Sequence, residues 1–201
     1  MSAMLPPATR ALILANVGAY LLERAVGPAR VLRMFALWPL GSGLFHPWQL
    51  ITYGFLHDPA NLAHIFLNMF ALFMFGRALE SYWGGRRLVL YFLVCVLTAG
   101  LTQLAVEAAA AGASEEVIGA SGGVFGVLLA FAWYFPRQKL FVIPIPIPIP
   151  AWLFVTVYAL AELLYGVTGR EAGVAHFAHL GGMLGGALCI LYWRGRRRFG
   201  Y

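Results

Sequence analysis

Apolar residues run along this chain in six blocks, at roughly 8–25, 60–79, 87–107, 119–135, 151–167 and 173–193. A run of about 17 to 25 apolar residues is the length that carries a helix across the hydrocarbon of a bilayer. The pattern predicts an all-α membrane protein: six transmembrane helices in one bundle, with residues 1–201 forming a single domain. Between the first two blocks, Pro28, Pro39 and Pro47 break up a longer stretch that carries Trp38 and Trp48. That stretch is too interrupted to span and apolar enough to lie in the interface, so a long membrane-associated first loop is expected. The alternating prolines of Phe141-Val-Ile-Pro-Ile-Pro-Ile-Pro-Ile-Pro150 exclude a helix, because each removes a donor and holds its predecessor extended. We read it as a stiff connector on the cytoplasmic side, with no chemistry assigned.

Composition agrees with the pattern: 61% of residues are hydrophobic and 11% charged, and the mean hydropathy is +0.78, far from the soluble average. Charge then gives orientation. Arg10, Arg77, Arg86, Arg87, Arg137, Lys139 and the Arg194-Gly-Arg-Arg-Arg198 cluster fall on one side, against Arg24, Arg30, Arg33 and Arg170 on the other. The basic side faces the cytoplasm, so both termini are expected there, and Glu115 and Glu116 in an opposite loop agree. The net charge of +6 is thus topological, and the terminal arginines read as a lipid-headgroup anchor rather than a nucleic-acid patch. Cys95 and Cys189 lie in apolar runs without CxxC or CxxH spacing and read as small core residues. The first block lacks the flanks of a signal peptide and is expected to stay as a helix.

Polar side chains inside such spans are functional suspects. In the second span, Asp58-Pro59 reads as a helix start, and His64 and Asn68 follow four apart on one face. The fourth opens on Gly119-Ala-Ser-Gly-Gly-Val-Phe-Gly126, with Ser121 in the first turn among glycines that admit a close neighbour. In the sixth, His179, Gly182 and Gly186 make one stripe, a histidine above a glycine seam that lets this helix approach the fourth. His176, a turn nearer the surface, fits packing, water bonding or participation equally. Each feature alone also fits helix packing, and the G-x-S-x-G letters do not carry the soluble nucleophile-elbow meaning, since no strand precedes them. Taken together, the orientation brings Ser121, His179, His64 and Asn68 to one depth in the outer half of the membrane. A serine beside an imidazole, with donors nearby, supports acyl transfer. Glu162, at the outer end of the fifth span, has no evident partner and reads as a helix-end or water-facing residue, so no acid is expected as a third member.

His64-x-x-x-Asn68, Gly119-x-Ser121-Gly122 and Ala178-His179-x-x-Gly182-x-x-x-Gly186, in this order, resemble the rhomboid intramembrane serine proteases of minimal six-helix bacterial type. The resemblance covers nearly the whole chain, including the long first loop. It implies Ser121 as nucleophile, His179 as general base, and His64 with Asn68 as oxyanion donors, using a Ser-His dyad. It also implies supporting places for Gly119, Gly122, Phe125, Gly182 and Gly186, with the Phe125 ring against the histidine. One departure is Trp48-Gln49, where the family often has Trp-Arg; an ion pair from that position, to an acid such as Glu80, cannot form, so a differently held loop is expected. The expected activity is endopeptidase cleavage in or near a transmembrane segment of a membrane-protein substrate that locally unwinds, at a prokaryotic plasma (inner) membrane. Transmembrane substrates and membrane lipids are the expected partners; no nucleic acid, cofactor or metal is. A non-catalytic rhomboid-like helix-binding or chaperone protein is the alternative. A membrane metal protein using His64, His176 and His179 is another, opposed by the lack of a carboxylate at ligand depth.

Overall fold

A computed structural model describes residues 5–110, 116–141, 147–169 and 174–198. Glu115 and Arg170, counted above for orientation, lie outside the described residues, as do positions 142–146 of the proline connector, position 173 and the side chains of Arg196, Arg197 and Arg198.

The described residues form helices α1 (Pro7–Val26), α2 (Pro28–Phe35), α3 (Gln49–Thr52), α4 (Leu62–Ala71), α5 (Arg77–Trp83), α6 (Gly85–Ala110), α7 (Ser121–Tyr134), α8 (Ala151–Thr168) and α9 (His176–Arg198). A π turn, Leu72–Gly76, joins α4 to α5, so that Leu62–Trp83 runs as one helix. Two-residue strands β1 (Lys139–Leu140) and β2 (Ile149–Pro150) pair antiparallel and close the ends of the proline connector, which is not helical where it is described.

Among the described residues, three helices are long and apolar enough to cross a membrane: Leu62–Trp83, Gly85–Ala109 and Ala151–Thr168. The protein is mostly helical and of multi-pass membrane type. Helix α7 is apolar but has only 14 residues, about 21 Å of rise. Helix α1 carries Arg10, Asn16, Glu23 and Arg24, and α9 its histidines, glycines and basic end, which is why neither reaches the same apolar standard. Outward-facing Leu153, Val157, Leu160, Leu164 and Val167 leave most of α8 exposed. Such an apolar perimeter suits lipid rather than water.

The core is built around α6, whose Leu88, Tyr91, Phe92, Cys95, Val96 and Ala99 are all fully buried. Helices α7 and α9 lie against it and each other. A Cβ on Gly182 would collide with the backbone of Gly122, so α7 and α9 meet backbone to backbone there, as the glycine seam predicts. Gly186 turns instead toward Tyr91 and Cys95 of α6.

The start of α4 is corrected, and the first loop is held differently from an ion pair, as expected. Helix α4 does not begin at Asp58-Pro59: Asn61 is its N-cap, accepting from the Ala63 N–H at 3.1 Å. Asp58 closes a turn just before it by accepting from the Ala60 N–H at 2.8 Å. Glu80 does not hold the first loop. It takes the Ala8 N–H at 2.8 Å on one oxygen and the Thr9 N–H and hydroxyl at 2.6 and 2.7 Å on the other. The carboxylate thereby satisfies the free donors that open α1. The loop itself is held by Gln49, which is fully buried. Its Oε1 accepts from the N–H groups of Trp38 (3.3 Å) and His46 (3.1 Å), and its Nε2 donates to the carbonyls of Leu44 (3.0 Å) and Met34 (3.4 Å). A neutral amide offers both donors and acceptors, which an arginine there would not.

Candidate active site

Ser121 is the first residue of α7, and no side chain caps that helix end. The leading N–H groups of a helix have no partner within it, so the serine stands among free backbone donors. Gly119, at φ 129°, makes the turn into this position, a conformation that glycine adopts without strain. Its N–H is tied to the Tyr53 carbonyl at 3.0 Å, which anchors the turn to the first loop.

The Ser121 Oγ lies 2.8 Å from the His179 Nε2, across 58 residues of sequence. The His179 ring stacks on Phe125, with centroids 4.2 Å apart and planes within 6°. Tyr158 of α8 backs Phe125 at 4.9 Å. The backbone contact between Gly122 and Gly182 brings the two helices close enough for this bond, so motif glycines and motif polar groups act as one unit.

Glu162 is not water-facing. It is 5% exposed, and its Oε2 lies 2.8 Å from the His179 Nδ1 and 2.7 Å from the His176 Nδ1. An ionised carboxylate only accepts, so each Nδ1 carries its proton toward Glu162. In neutral His179 the Nε2 is then the acceptor, and Ser121 donates to it. His176 is buried between Glu162 and the Tyr165 ring, 5.8 Å away. Sequence reasoning missed this acid although it carried the usual signal, a carboxylate in an apolar helix. The partners lie beyond a loop, at separations of 14 and 17 residues.

His64 sits in the first turn of α4. Its Nδ1 accepts from the Asp58 N–H at 3.3 Å, which leaves the proton of the neutral ring on Nε2. That nitrogen faces Gly119: a Cβ built there would stand 2.8 Å from the His64 Nε2 and 3.5 Å from the Ser121 Oγ. Asn68, a turn further on, is buried, and its Nδ2 donates to the His64 carbonyl at 2.9 Å. The structure thus gathers Ser121, His179, Phe125, Gly119 and His64 around one point, with Asn68 behind His64. His57, which the motifs do not include, is fully buried with its ring edge-on to His64 at 5.0 Å. Burial first, and then the neighbouring His64, push its imidazole down to about 3, so it stays neutral.

Glu162, His176 and His179 could also hold a metal ion, their ligand atoms lying within 4.8 Å of one another. This corrects the expectation that no carboxylate lies at ligand depth, and His64 does not belong to the group. The oxygen–nitrogen distances of 2.7 and 2.8 Å are those of hydrogen bonds, and a metal would have to displace both Nδ1 protons.

Fold and site together define a helical membrane protein with a serine and a histidine in hydrogen-bond contact. The chain belongs to the rhomboid family: the Rhomboid domain model matches residues 44–196. It is similar to the mitochondrial RHOMBOID-like protein 6 of Arabidopsis thaliana, 31% identical over 144 residues, which is 69% of this chain and 41% of that protein. The mitochondrial RHOMBOID-like protein 12 of the same plant is 27% identical over 94% of this chain and 59% of its own length. Rhomboid protease GlpG of Klebsiella pneumoniae is 27% identical over 63% of this chain and 43% of its own length. The chain therefore spans between 41% and 59% of the length of these relatives.

Proposed function

We propose that this protein is an intramembrane serine endopeptidase in which Ser121 is the nucleophile and His179 the general base. The observation that carries the reading is the 2.8 Å contact between the Ser121 Oγ and the His179 Nε2, with the ring held flat on Phe125. Ser121 Oγ attacks the scissile carbonyl carbon while its proton passes to His179. The oxyanion that forms is met by the Ser121 N–H, the His64 Nε2–H and the Asn68 amide, each donor worth about 3 to 4 kcal/mol in soluble hydrolases. As the C–N bond breaks, His179 returns the proton to the leaving amine, and water then releases the acyl group.

In this reading residues 1–201 are one rhomboid-like domain with six spans: α1, Leu62–Trp83, α6, α7, α8 and α9. Both termini are cytoplasmic, and the first loop lies in the outer interface. The short α7 supports this placement, since about 21 Å of helix cannot cross roughly 30 Å of hydrocarbon, so Ser121 begins its helix below the surface. The substrate is a transmembrane helix that unwinds locally, because an intact helix shields its carbonyls in hydrogen bonds. The membrane is a prokaryotic plasma (inner) membrane; lipids are the surrounding partner, and no cofactor or nucleic acid takes part.

Ser121→Ala or His179→Ala should abolish cleavage of a model transmembrane substrate and labelling by a fluorophosphonate, with the protein still folded in detergent. Cleavage that survives Ser121→Ala would overturn the assignment. A non-catalytic helix-binding protein of this family is favoured by the names of relatives that are rhomboid-like rather than protease. Intact substrate bound without turnover, and an unlabelled serine, would establish that reading instead.

A further inference from the structure

A buried carboxylate is costly unless its oxygens are hydrogen-bonded, and Glu162 spends one oxygen on two histidines at once. The geometry points to Glu162 as the positioning residue of a Ser121–His179–Glu162 relay, with His176 as the brace that holds the carboxylate in place. This rests on the protease reading above and adds a third member to its serine and histidine.

Only the tautomer of His179 with its proton on Nδ1 can take the proton of Ser121, and the Glu162 Oε2 at 2.8 Å selects that tautomer. During attack the serine proton moves to the His179 Nε2 as the Oγ–carbon bond forms. His179 keeps its Nδ1 proton throughout, and Glu162 stays ionised and stabilises the imidazolium by charge. The proton then leaves from Nε2 to the departing amine, so nothing is gained or lost at Glu162. The bond from His176, at 2.7 Å, fixes a side chain that would otherwise swing on its rotatable stem. The titratable groups facing this cluster are Ser121 on α7, His64 on α4, Tyr158 and Tyr165 on α8, and His176 beside His179 on α9.

The test measures kcat and KM for a transmembrane substrate with wild type, Glu162→Gln and Glu162→Asp, alongside Ser121→Ala. Glutamine can turn its amide N–H toward the Nδ1 and stabilise the wrong tautomer. Expected for Glu162→Gln is a fall in kcat on the order of 10²- to 10⁴-fold with KM little changed. Glu162→Asp should restore part of the rate. Nitrogen NMR of the imidazoles in the unmutated protein should show the Nδ1–H form of His179 at neutral pH, a readout that does not need the variants to fold. Wild-type kcat in Glu162→Gln, or an Nε2–H tautomer for His179, would overturn the relay while leaving Ser121-dependent cleavage intact. Cleavage that survives Ser121→Ala would remove the protease reading and the relay with it.

Discussion

Gly119 carries two constraints in one residue. Its φ of 129° excludes most side chains, and the space where a Cβ would stand is already bounded by the His64 Nε2 at 2.8 Å. Gly119→Ala should therefore push the donor nitrogen away from the serine and lower kcat by about a hundredfold or more, with a smaller loss of stability of about 1–3 kcal/mol. Kinetics beside a thermal melt in detergent would check both. Gln49 has the opposite balance. Gln49→Leu strands two N–H groups and two carbonyls of the first loop and should cost about 2–4 kcal/mol. The activity of each folded molecule should remain near wild type. At this scale Ser121 and His179 were legible because each carries its own glycines at helical spacing. Glu162 was not, because a carboxylate shows its partners only when a loop has folded back, and Gln49 read as a lost charge where it is four bonds gained.

Where α7 and α9 cross, the element rather than the side chain is the unit of function. Gly182→Val would force the helices apart at the Gly122 backbone. The expected outcome is loss of fluorophosphonate labelling at Ser121, together with overpacking destabilisation of about 1–3 kcal/mol or more. The segment before α4 makes a second prediction. The His57 pKa is about 3 in the folded protein against an ordinary 6.5, so the unfolded chain binds the extra proton first. Stability from this group is present above about pH 6.5 and declines below it, by up to about 1.4 kcal/mol per pH unit as pH falls toward 3. His57→Phe should flatten that part of the curve, as melts across pH would measure. Helix existence was legible from block length, and the non-helical connector from its prolines. The start of α4 was not: Asp58 and Asn61 both offer a side-chain oxygen to a nearby N–H, and which one opens the helix is settled by packing.

For the whole molecule, the proposed orientation puts position 42 outside and position 138 inside. With Cys95 and Cys189 replaced by alanine, an impermeant thiol reagent on intact spheroplasts should label Ser42→Cys, and Gln138→Cys only after permeabilisation. The helix Leu62–Trp83 buries two polar side chains, Asn68, bonded to the His64 carbonyl, and Glu80, bonded to the first turn of α1. Twelve positions of regular helix would rotate these two residues about 120° apart, so both could not face inward. The π turn at Leu72–Gly76 absorbs one extra residue, takes roughly 100° back, and returns them to nearly the same azimuth. The helix is thus phase-corrected midway, and its tolerance to length is one-sided. It can lose a residue at the π turn with both faces still aligned, whereas one more residue would turn either the site or the α1 anchor toward the lipid.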